Sequence, residues 1–216
     1  MGAEKEFILE VELKYKLKNK SIAGAILADE YIAGIEEKGT REQVFMKAAY
    51  FDTEDGILSK NDIALRVRME GARIIASLKW NDSGAGGLHM REEINVPTAD
   101  STCFIKPDPN IFKESEVGKD VLDLLNDKPL ESILEMKFIR DRLRVDTGAA
   151  ICEIALDDGK IITDGGEIPI SELEIELFSG EKDELLKLGD LIAEKYELEM
   201  ETETKYARGL KLLRGV

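Results

Sequence analysis

The amino-acid sequence predicts an α+β fold in which antiparallel strands, each with one apolar and one charged face, pack against helices. Two observations support this prediction. Residues 6–18 alternate strictly between apolar and polar or charged side chains over most of their length, which is the period of two that a β-strand presents. The same alternation recurs in most later segments, whereas residues 181–196 space their apolar side chains as an amphipathic helix does.

The first half of the chain is predicted to alternate strand, helix and further strands. The strand at residues 6–18 is followed by a helix over residues 21–38, with Ser21 as its N-cap and Gly39 at its end. Four strands are then predicted, over residues 44–52, 63–70, 73–80 and 89–96. Residues 83–87 are rich in glycine but lack the G-K-[ST] ending of a phosphate-binding loop, so they are predicted to form a hairpin loop.

The second half of the chain begins with a proline-containing stretch at residues 97–130, which is predicted to lie outside the sheet and to hold a helix over residues 116–126. Strands are predicted over residues 134–145, 150–156, 160–163 and 168–178. Asp158-Gly159 is predicted to form a hairpin turn, and residues 164–166 form another. Helices are predicted over residues 181–196 and 208–214.

The composition argues against several classes of protein. The 216 residues include 30 Lys and Arg and 45 Asp and Glu, and the net charge of −15 disfavours binding to nucleic acid or an anionic membrane. We see no Pro/Ser-rich linker, so a single domain over residues 1–216 is expected. No apolar run approaches the ~20 residues of a membrane span, and the N-terminus lacks a signal-peptide pattern, so we expect a cytoplasmic protein.

Cysteine and histidine are too scarce to support several familiar catalytic sites. Cys103 and Cys152 are isolated, so neither a disulfide framework nor a zinc site is expected, and both are predicted to be reduced thiols. His89 is the only histidine, which excludes Ser-His-Asp and Cys-His catalysis. We expect His89 at the surface or at the edge of a loop. Any catalysis must therefore use carboxylates, Lys, Arg, Tyr and a metal ion.

The charged faces of the predicted strands divide by sign. Acidic faces carry Glu10, Glu12, Glu153, Asp157, Glu172, Glu174 and Glu176, and basic faces carry Arg66, Arg68, Lys79, Arg140, Arg142 and Arg144. A two-layer fold would turn these faces to water, as most half-exposed antiparallel sheets do. A sheet closed into a barrel would turn them inward. Because unpaired buried charge is costly, that arrangement implies a divalent cation at the carboxylates and a polyanion, such as polyphosphate, along the basic wall.

Several short motifs occur in a fixed order along nearly the whole chain. The first is E-x-E-x-K, which stands here as Glu10-Val11-Glu12-Leu13-Lys14. The others are Tyr50-Phe51-Asp52-Thr53, Ala64-Leu65-Arg66-Val67-Arg68, Lys79, Arg91-Glu92-Glu93, Asp157, the E-L-E-I-E run from Glu172, and Lys205-Tyr206. The first motif alone is weak, but the ordered set resembles the CYTH superfamily of triphosphate tunnel metalloenzymes. That superfamily includes class IV adenylate cyclases, thiamine triphosphatases and inorganic triphosphatases.

The resemblance implies a closed eight-stranded antiparallel β-barrel, with helices packed on its outside, that binds a triphosphate together with Mg²⁺ or Mn²⁺. The implied metal ligands are Glu10, Glu12, Asp157, Glu172, Glu174 and Glu176. The implied phosphate-binding residues are Lys14, Arg66, Arg68, Lys79, Arg140, Arg142 and Lys205, where Arg142 replaces Arg140 if the alignment slips by two. Glu10, Glu12 and Lys14 are the expected catalytic residues. Arg144 is expected near the rim or in a salt bridge, and Arg91 is expected to pair with Glu93 inside the tunnel.

The implied activity is metal-dependent hydrolysis of inorganic tripolyphosphate or of an organic triphosphate such as thiamine triphosphate or a nucleoside triphosphate. One alternative is a class IV-type adenylate cyclase that converts ATP to cyclic AMP and pyrophosphate. The other is a polyphosphate- or nucleotide-binding module without catalysis. The expected partner is a small-molecule triphosphate rather than nucleic acid or membrane, and a homodimer is left open.

Overall fold

Eight antiparallel strands close into a barrel in a computed structural model that describes residues 6–216. The strands are β1 (Glu6–Lys16), β2 (Glu42–Asp52), β3 (Ala64–Glu70), β4 (Arg73–Ser83), β5 (Leu88–Thr98), β6 (Glu131–Asp146), β7 (Ala150–Thr163) and β8 (Gly166–Gly180). Their order is β5-β4-β3-β2-β6-β7-β8-β1, and pairing of β1 with β5 closes the barrel. A two-residue strand, β9 (Glu199–Met200), adds to β1. The barrel is therefore confirmed, and the open two-layer sheet is excluded.

Five helices surround the barrel in the described part of the chain. They are α1 (Lys20–Leu27), α2 (Glu30–Ile35), α3 (Glu116–Leu125), α4 (Lys182–Tyr196) and α5 (Lys205–Arg214). Helix α4 contacts β1, β7 and β8, while α5 contacts β6, β7 and β8. Within residues 6–216, none of the helices has both the length and the apolar character needed to cross a membrane.

The single helix predicted over residues 21–38 is wrong, because the structure has two helices there. Asn19, not Ser21, caps α1, and its side chain accepts a hydrogen bond from the backbone N–H of Ile22. Asp29 ends the continuity by capping α2, where its carboxylate accepts from the N–H groups of Tyr31 and Ile32. A second N-cap within an apolar run is what divides the segment.

The barrel buries its apolar faces on the outside and turns its charged faces inward. The outward residues of β1, among them Leu13 and Tyr15, pack in one core cluster with Leu185 and Leu188 of α4. Gly189 allows this close contact, since a Cβ atom there would lie 2.3 Å from Leu13 Cδ1 and 2.5 Å from Tyr15 Oη. The alternation in the sequence is thus explained by two partners: helices outside and opposite charges inside.

The predicted hairpin turn at Asp158-Gly159 is also wrong, because β7 runs straight through it to Thr163. Gly159 pairs with Phe138 of β6, and a Cβ atom at Gly159 would lie 2.2 Å from the carbonyl oxygen of Lys137. The glycine therefore permits close approach of two strands rather than a turn. The next turn, at residues 164–165, is confirmed and connects β7 to β8. Cys103 and Cys152 are free, as predicted, and both are buried.

Replacing Gly159 with alanine should lower the free energy of unfolding by about 1–3 kcal/mol, because the added methyl group overlaps the backbone of β6. Urea denaturation measures this change. Gly24→Ala is the matched control: it lies within α1 with no atom within 4 Å of the added carbon, so stability should stay equal or rise. Equal stability of Gly159→Ala and the wild type would contradict the tight β6–β7 packing.

Candidate active site

The inside of the barrel collects basic side chains from six elements. They are Lys14 of β1, Arg66 and Arg68 of β3, Lys79 of β4, Arg91 of β5, Arg140 of β6 and Lys205 at the start of α5. Together with Glu10, Glu12, Glu174 and Glu176 they line an inner pocket of about 80 Å³. The structure thus brings together most of the residues that the resemblance implied, although β1 and α5 lie at opposite ends of the chain.

One group of carboxylates is fully matched by cations; we call Asp157, Glu172 and Glu174 the paired cluster. Arg140 donates two hydrogen bonds of 2.7 Å to the two oxygens of Asp157 and a further one to Glu174. Lys205 Nζ lies 2.8 Å from both Asp157 Oδ2 and Glu174 Oε1, and also contacts Glu172. Burial opposes ionisation of Glu174, but Lys14, Lys205 and Arg140 hold its pKa well below the usual range.

Helix α5 supplies a second cation to the paired cluster. Arg208 binds Glu172, and its Nη1 lies 3.3 Å from Glu201 Oε2. The sequence reasoning missed this residue. Its position could have indicated this role, because Arg208 comes three residues after Lys205 and both side chains therefore lie on one face of a helix.

A second group contains more carboxylates than cations paired with them; we call Glu10, Glu12 and Glu176 the acidic group. Glu12 and Glu176 are direct partners across β1 and β8. Lys79 Nζ lies 2.7 Å from Glu10, and Lys14 Nζ lies 2.8 Å from Glu12. Glu176 has no ion pair within residues 6–216. Burial, and then Glu10 and Glu12, raise the pKa of Glu176 to about 8.

The two groups differ in their fitness for a divalent cation. Oxygens of the paired cluster lie within 4.8 Å of one another, which is close enough to share an ion. Those oxygens, however, already face Lys14, Arg140 and Lys205, and these would repel another cation. In the acidic group, burial also raises the pKa of Glu12, and a cation would relieve the repulsion across β1 and β8. Charge therefore favours a hard cation at the acidic group, whereas among the described residues only the paired cluster has three carboxylates whose oxygens lie close enough together to share one ion.

The opposite wall, on β3 to β5, suits an anion. Glu93 balances part of its charge, since it lies 2.9 Å from both Arg66 Nη2 and Lys79 Nζ. The buried Nε–H groups of Arg66 and Arg68 have no hydrogen-bond acceptor among the described residues. Burial, and then the nearby Arg66, lower the pKa of Arg68. Unsatisfied guanidinium donors crowded together indicate a place for phosphate oxygens.

Three expectations about the remaining charged residues need correction or detail. Arg91 lines the inner pocket across from Glu10, but it binds Asp82 of β4 and does not pair with Glu93. Arg142 lies nearer than Arg140 to the open end of the barrel on the side away from α5, which we call the mouth. It binds Glu42 at 2.5 Å and Glu70 at 2.6 Å. Arg144 lies at the rim and is exposed there.

His89 lies at the start of β5 beside the glycine-rich loop, as expected, but it is buried rather than at the surface. Its Nε2 atom lies 3.3 Å from the carbonyl oxygen of Glu201. This contact ties β5 to the segment that leads into α5. The nearest acid to its other ring nitrogen is Asp82, at 3.9 Å.

One side of the inner pocket is apolar and aromatic, which the sequence did not reveal. Tyr50 and Tyr206 stack with their ring centroids 4.9 Å apart. The ring of Phe138 lies 5.7 Å from the guanidinium carbon of Arg140 and 5.5 Å from Lys205 Nζ. The aromatic face therefore supports two cations that the paired cluster uses.

Comparison with known proteins finds a matching domain family and a curated relative. A family model for the CYTH domain matches residues 9–210. The inorganic triphosphatase of Haemophilus influenzae is 30% identical over 176 residues, which make up 79% of this chain and 47% of that protein. The chain thus spans about half the length of this curated relative.

Solved structures share the fold. A proposed adenylyl cyclase from Hippeastrum, reported to have a dominant triphosphatase activity, superposes with a TM-score of 0.66 at 17% identity, over 95% of this chain and 96% of that one. A proposed adenylate cyclase from Bacillus halodurans gives a TM-score of 0.57 at 22% identity, over 96% of this chain and 98% of that one. At such identities the likeness concerns the fold alone.

Glu176→Gln should reduce the loss of stability at alkaline pH in metal-free buffer. The pKa of Glu176 is about 8 in the folded protein and near 4.5 when unfolded, so ionisation lowers the free energy of unfolding as pH rises between these values. Urea denaturation with EDTA at pH 5 and pH 9 should show a smaller decrease in the variant, by on the order of 1–3 kcal/mol.

Glu174→Gln is the contrasting variant, because it removes a shared partner of Lys14, Lys205 and Arg140. Breaking this buried network should cost about 3 kcal/mol or more at neutral pH. If Glu176→Gln lowered the free energy of unfolding as much as Glu174→Gln does, the conclusion that Glu176 lacks a paired cation would be wrong.

Proposed function

The chain belongs to the CYTH domain family, and we propose that it is a metal-dependent hydrolase of triphosphates that acts inside its barrel. One observation carries the proposal: seven basic side chains from six elements converge in one interior beside a group of carboxylates that outnumber the cations paired with them. A triphosphate with a divalent cation supplies both missing charges. The inorganic triphosphatase of Haemophilus influenzae, which is 30% identical, supports hydrolysis as the reaction.

The proposed metal ligands are Glu10, Glu12 and Glu176, because carboxylate oxygens are the donors that Mg²⁺ and Mn²⁺ prefer. The paired cluster, which consists of Asp157, Glu172 and Glu174, can bind the metal ion only if its cations leave it for other partners. These cations are Lys14, Arg140 and Lys205. When bound, Mg²⁺ or Mn²⁺ polarises phosphate oxygens and acidifies a water molecule.

The proposed phosphate contacts come from both walls of the inner pocket. Arg66 and Arg68 offer the unsatisfied Nε–H groups, with Lys79 beside them. Lys14 and Arg140 reach phosphate oxygens by exchanging their carboxylate partners, and so does Lys205. The exchange is required because the inner pocket, at about 80 Å³, has room for only a few water molecules while these side chains pair with the carboxylates. Arg142 stands closer to the mouth and contacts the substrate only if it extends that far.

The proposed chemistry is attack by water on a terminal phosphorus atom. A carboxylate of the acidic group accepts the proton of the attacking water. The cations of the inner pocket stabilise the charge that develops on the leaving pyrophosphate. Lys14 lies between the paired cluster and the acidic group and contacts both Glu12 and Glu174. Its ammonium group is therefore placed to stabilise the negative charge that develops on the leaving pyrophosphate.

The decisive experiment offers tripolyphosphate, thiamine triphosphate and ATP with Mg²⁺ or Mn²⁺ and resolves phosphate, pyrophosphate and cyclic AMP. We expect metal-dependent phosphate release. Formation of cyclic AMP as the main product from ATP would replace hydrolysis by cyclisation. Binding without turnover of any substrate would leave only a polyphosphate-binding module.

Glu12→Gln should lower kcat/KM for tripolyphosphate by about 100-fold or more with either metal, because it removes one charge from the acidic group. Lys14 keeps its bond to Glu174, so the variant should fold. Glu135→Gln, on the opposite face of β6 and paired with Lys137, is the matched control and should retain full activity. Undiminished metal-dependent phosphate release by Glu12→Gln would contradict the metal site.

A further inference from the structure

The outer face of the barrel is left partly bare where β2 and β6 run side by side. Side chains at odd positions of both strands point outward, because those at even positions, such as Met46 and Arg140, line the inner pocket. Ala49 of β2 packs in the core cluster of α3, and Leu143 of β6 packs in the core cluster of α2. A bare patch lies between these two contacts, and it consists of Gln43, Phe45 and Lys47 of β2 and Lys137, Ile139 and Asp141 of β6.

The patch has three parallel rows, which are set by the pairing of β2 with β6. They are Phe45 and Ile139 in the middle, Lys47 and Lys137 on one side, and Gln43 and Asp141 on the other. Neighbouring rows are about 7 Å apart, because residues i and i+2 of a strand are separated by that distance. An apolar row therefore lies midway between a basic row and a row that holds an acid.

The middle row exposes apolar surface that the chain itself does not cover. Phe45 is 46% exposed, although it is a large aromatic residue on the outside of the barrel. Ile139, directly opposite it on β6, is half-buried. An exposed aromatic side chain beside a second apolar one is the usual centre of a protein–protein contact.

Two charges at opposite corners of the patch have no counter-ion in the described part of the chain. Lys47 makes no ion pair, and its Nζ atom lies 5.1 Å from the centroid of the Phe104 ring. Asp141 makes no ion pair either, and it accepts a hydrogen bond of 2.8 Å from Gln43. Lys137, by contrast, is paired with Glu135 at 2.9 Å. The patch therefore offers one free cation and one free anion.

A rotation of 180° about the centre of the patch superimposes its pattern on itself. The axis passes between Phe45 and Ile139, perpendicular to the sheet, and it exchanges these two positions. It also exchanges Lys47 with Asp141, because both lie one row and half a strand spacing away from it in opposite directions. When two copies pack face to face about this axis, Phe45 lies over the partner's Ile139, and Lys47 lies over the partner's Asp141.

We propose that this patch is the contact surface of a two-fold symmetric dimer, so that its occupant is a second copy of this chain. A two-fold interface must be self-complementary, and the patch meets this condition both in its apolar row and in its free charges. The net charge of −15 makes most contacts between copies repulsive, so a contact that brings a cation onto an acid is selectively favourable. The dimer contains two ion pairs between Lys47 and Asp141 around four apolar side chains.

The test reverses the two free charges one at a time and then combines the variants. Lys47→Glu places two carboxylates together at each corner of the dimer, and Asp141→Lys places two ammonium groups together there. Each variant alone should therefore raise the Kd of the dimer about tenfold or more. An equimolar mixture of the two variants should associate again as a heterodimer, because both of its corner contacts then join opposite charges. Sedimentation velocity over a range of micromolar concentrations measures each Kd.

A third variant tests the apolar row. Phe45→Ala removes an exposed aromatic side chain twice from each dimer, so it should raise the Kd about tenfold or more. Leu191→Ala is the matched control: Leu191 is 40% exposed on α4, outside the patch, so the Kd should equal that of the wild type. Circular dichroism establishes that each variant is folded.

Three results would overturn the dimer. They are a wild type that stays monomeric at every concentration, charge-reversal variants that each dimerise as the wild type does, and a mixture of folded variants that does not associate. The first result would leave the patch to a different partner, and the second would place the contact on another face. The patch lies outside the barrel, and its test needs no turnover, so its outcome is independent of the proposed hydrolase activity.

Discussion

The compensation of buried charge is the constraint on which the rest of this structure depends. A closed barrel with charged inner faces is costly to form unless most of the carboxylates and cations inside it find partners. The partners come from distant parts of the chain: Lys14 from the first strand, Arg140 from the sixth and Lys205 from the last helix. The docking of α5 is therefore part of the barrel's electrostatics, since two of its side chains, Lys205 and Arg208, neutralise Glu172.

Sequence reasoning succeeded where the signal was local and periodic. Alternation along β1 and β8 gave both strands, and the sign of their inner faces gave the acidic and basic walls. It failed where the answer depended on residues far away in the chain. The Asp158-Gly159 dipeptide is typical of turns. A strand needs glycine there because a side chain at residue 159 would collide with Lys137 and Phe138 of β6, which the sequence does not show.

The errors in the site have the same origin. Arg91 and Glu93 share a strand face, so pairing was a reasonable expectation, but each found a partner on a neighbouring strand. The division of the carboxylates into a paired cluster and an acidic group follows from where α5 places Lys205. No pattern within β8 distinguishes Glu174 from Glu176, although their pKa values shift in opposite directions. Such unequal neighbours are typical of sites that hold charge for a ligand rather than for stability.

The sharing of partners inside the barrel has a consequence for how ligands would associate with it. Lys14 lies between Glu12 and Glu174, so it reaches a phosphate only by leaving a carboxylate, and that carboxylate then needs another cation. In the proposed site a divalent ion would meet that need, and a phosphate would in turn remove the ammonium that competes with the ion. The two binding free energies would then be coupled, and by thermodynamic reciprocity each ligand would raise the affinity for the other by the same factor. A metal ion and a triphosphate would therefore bind more tightly together than either does alone.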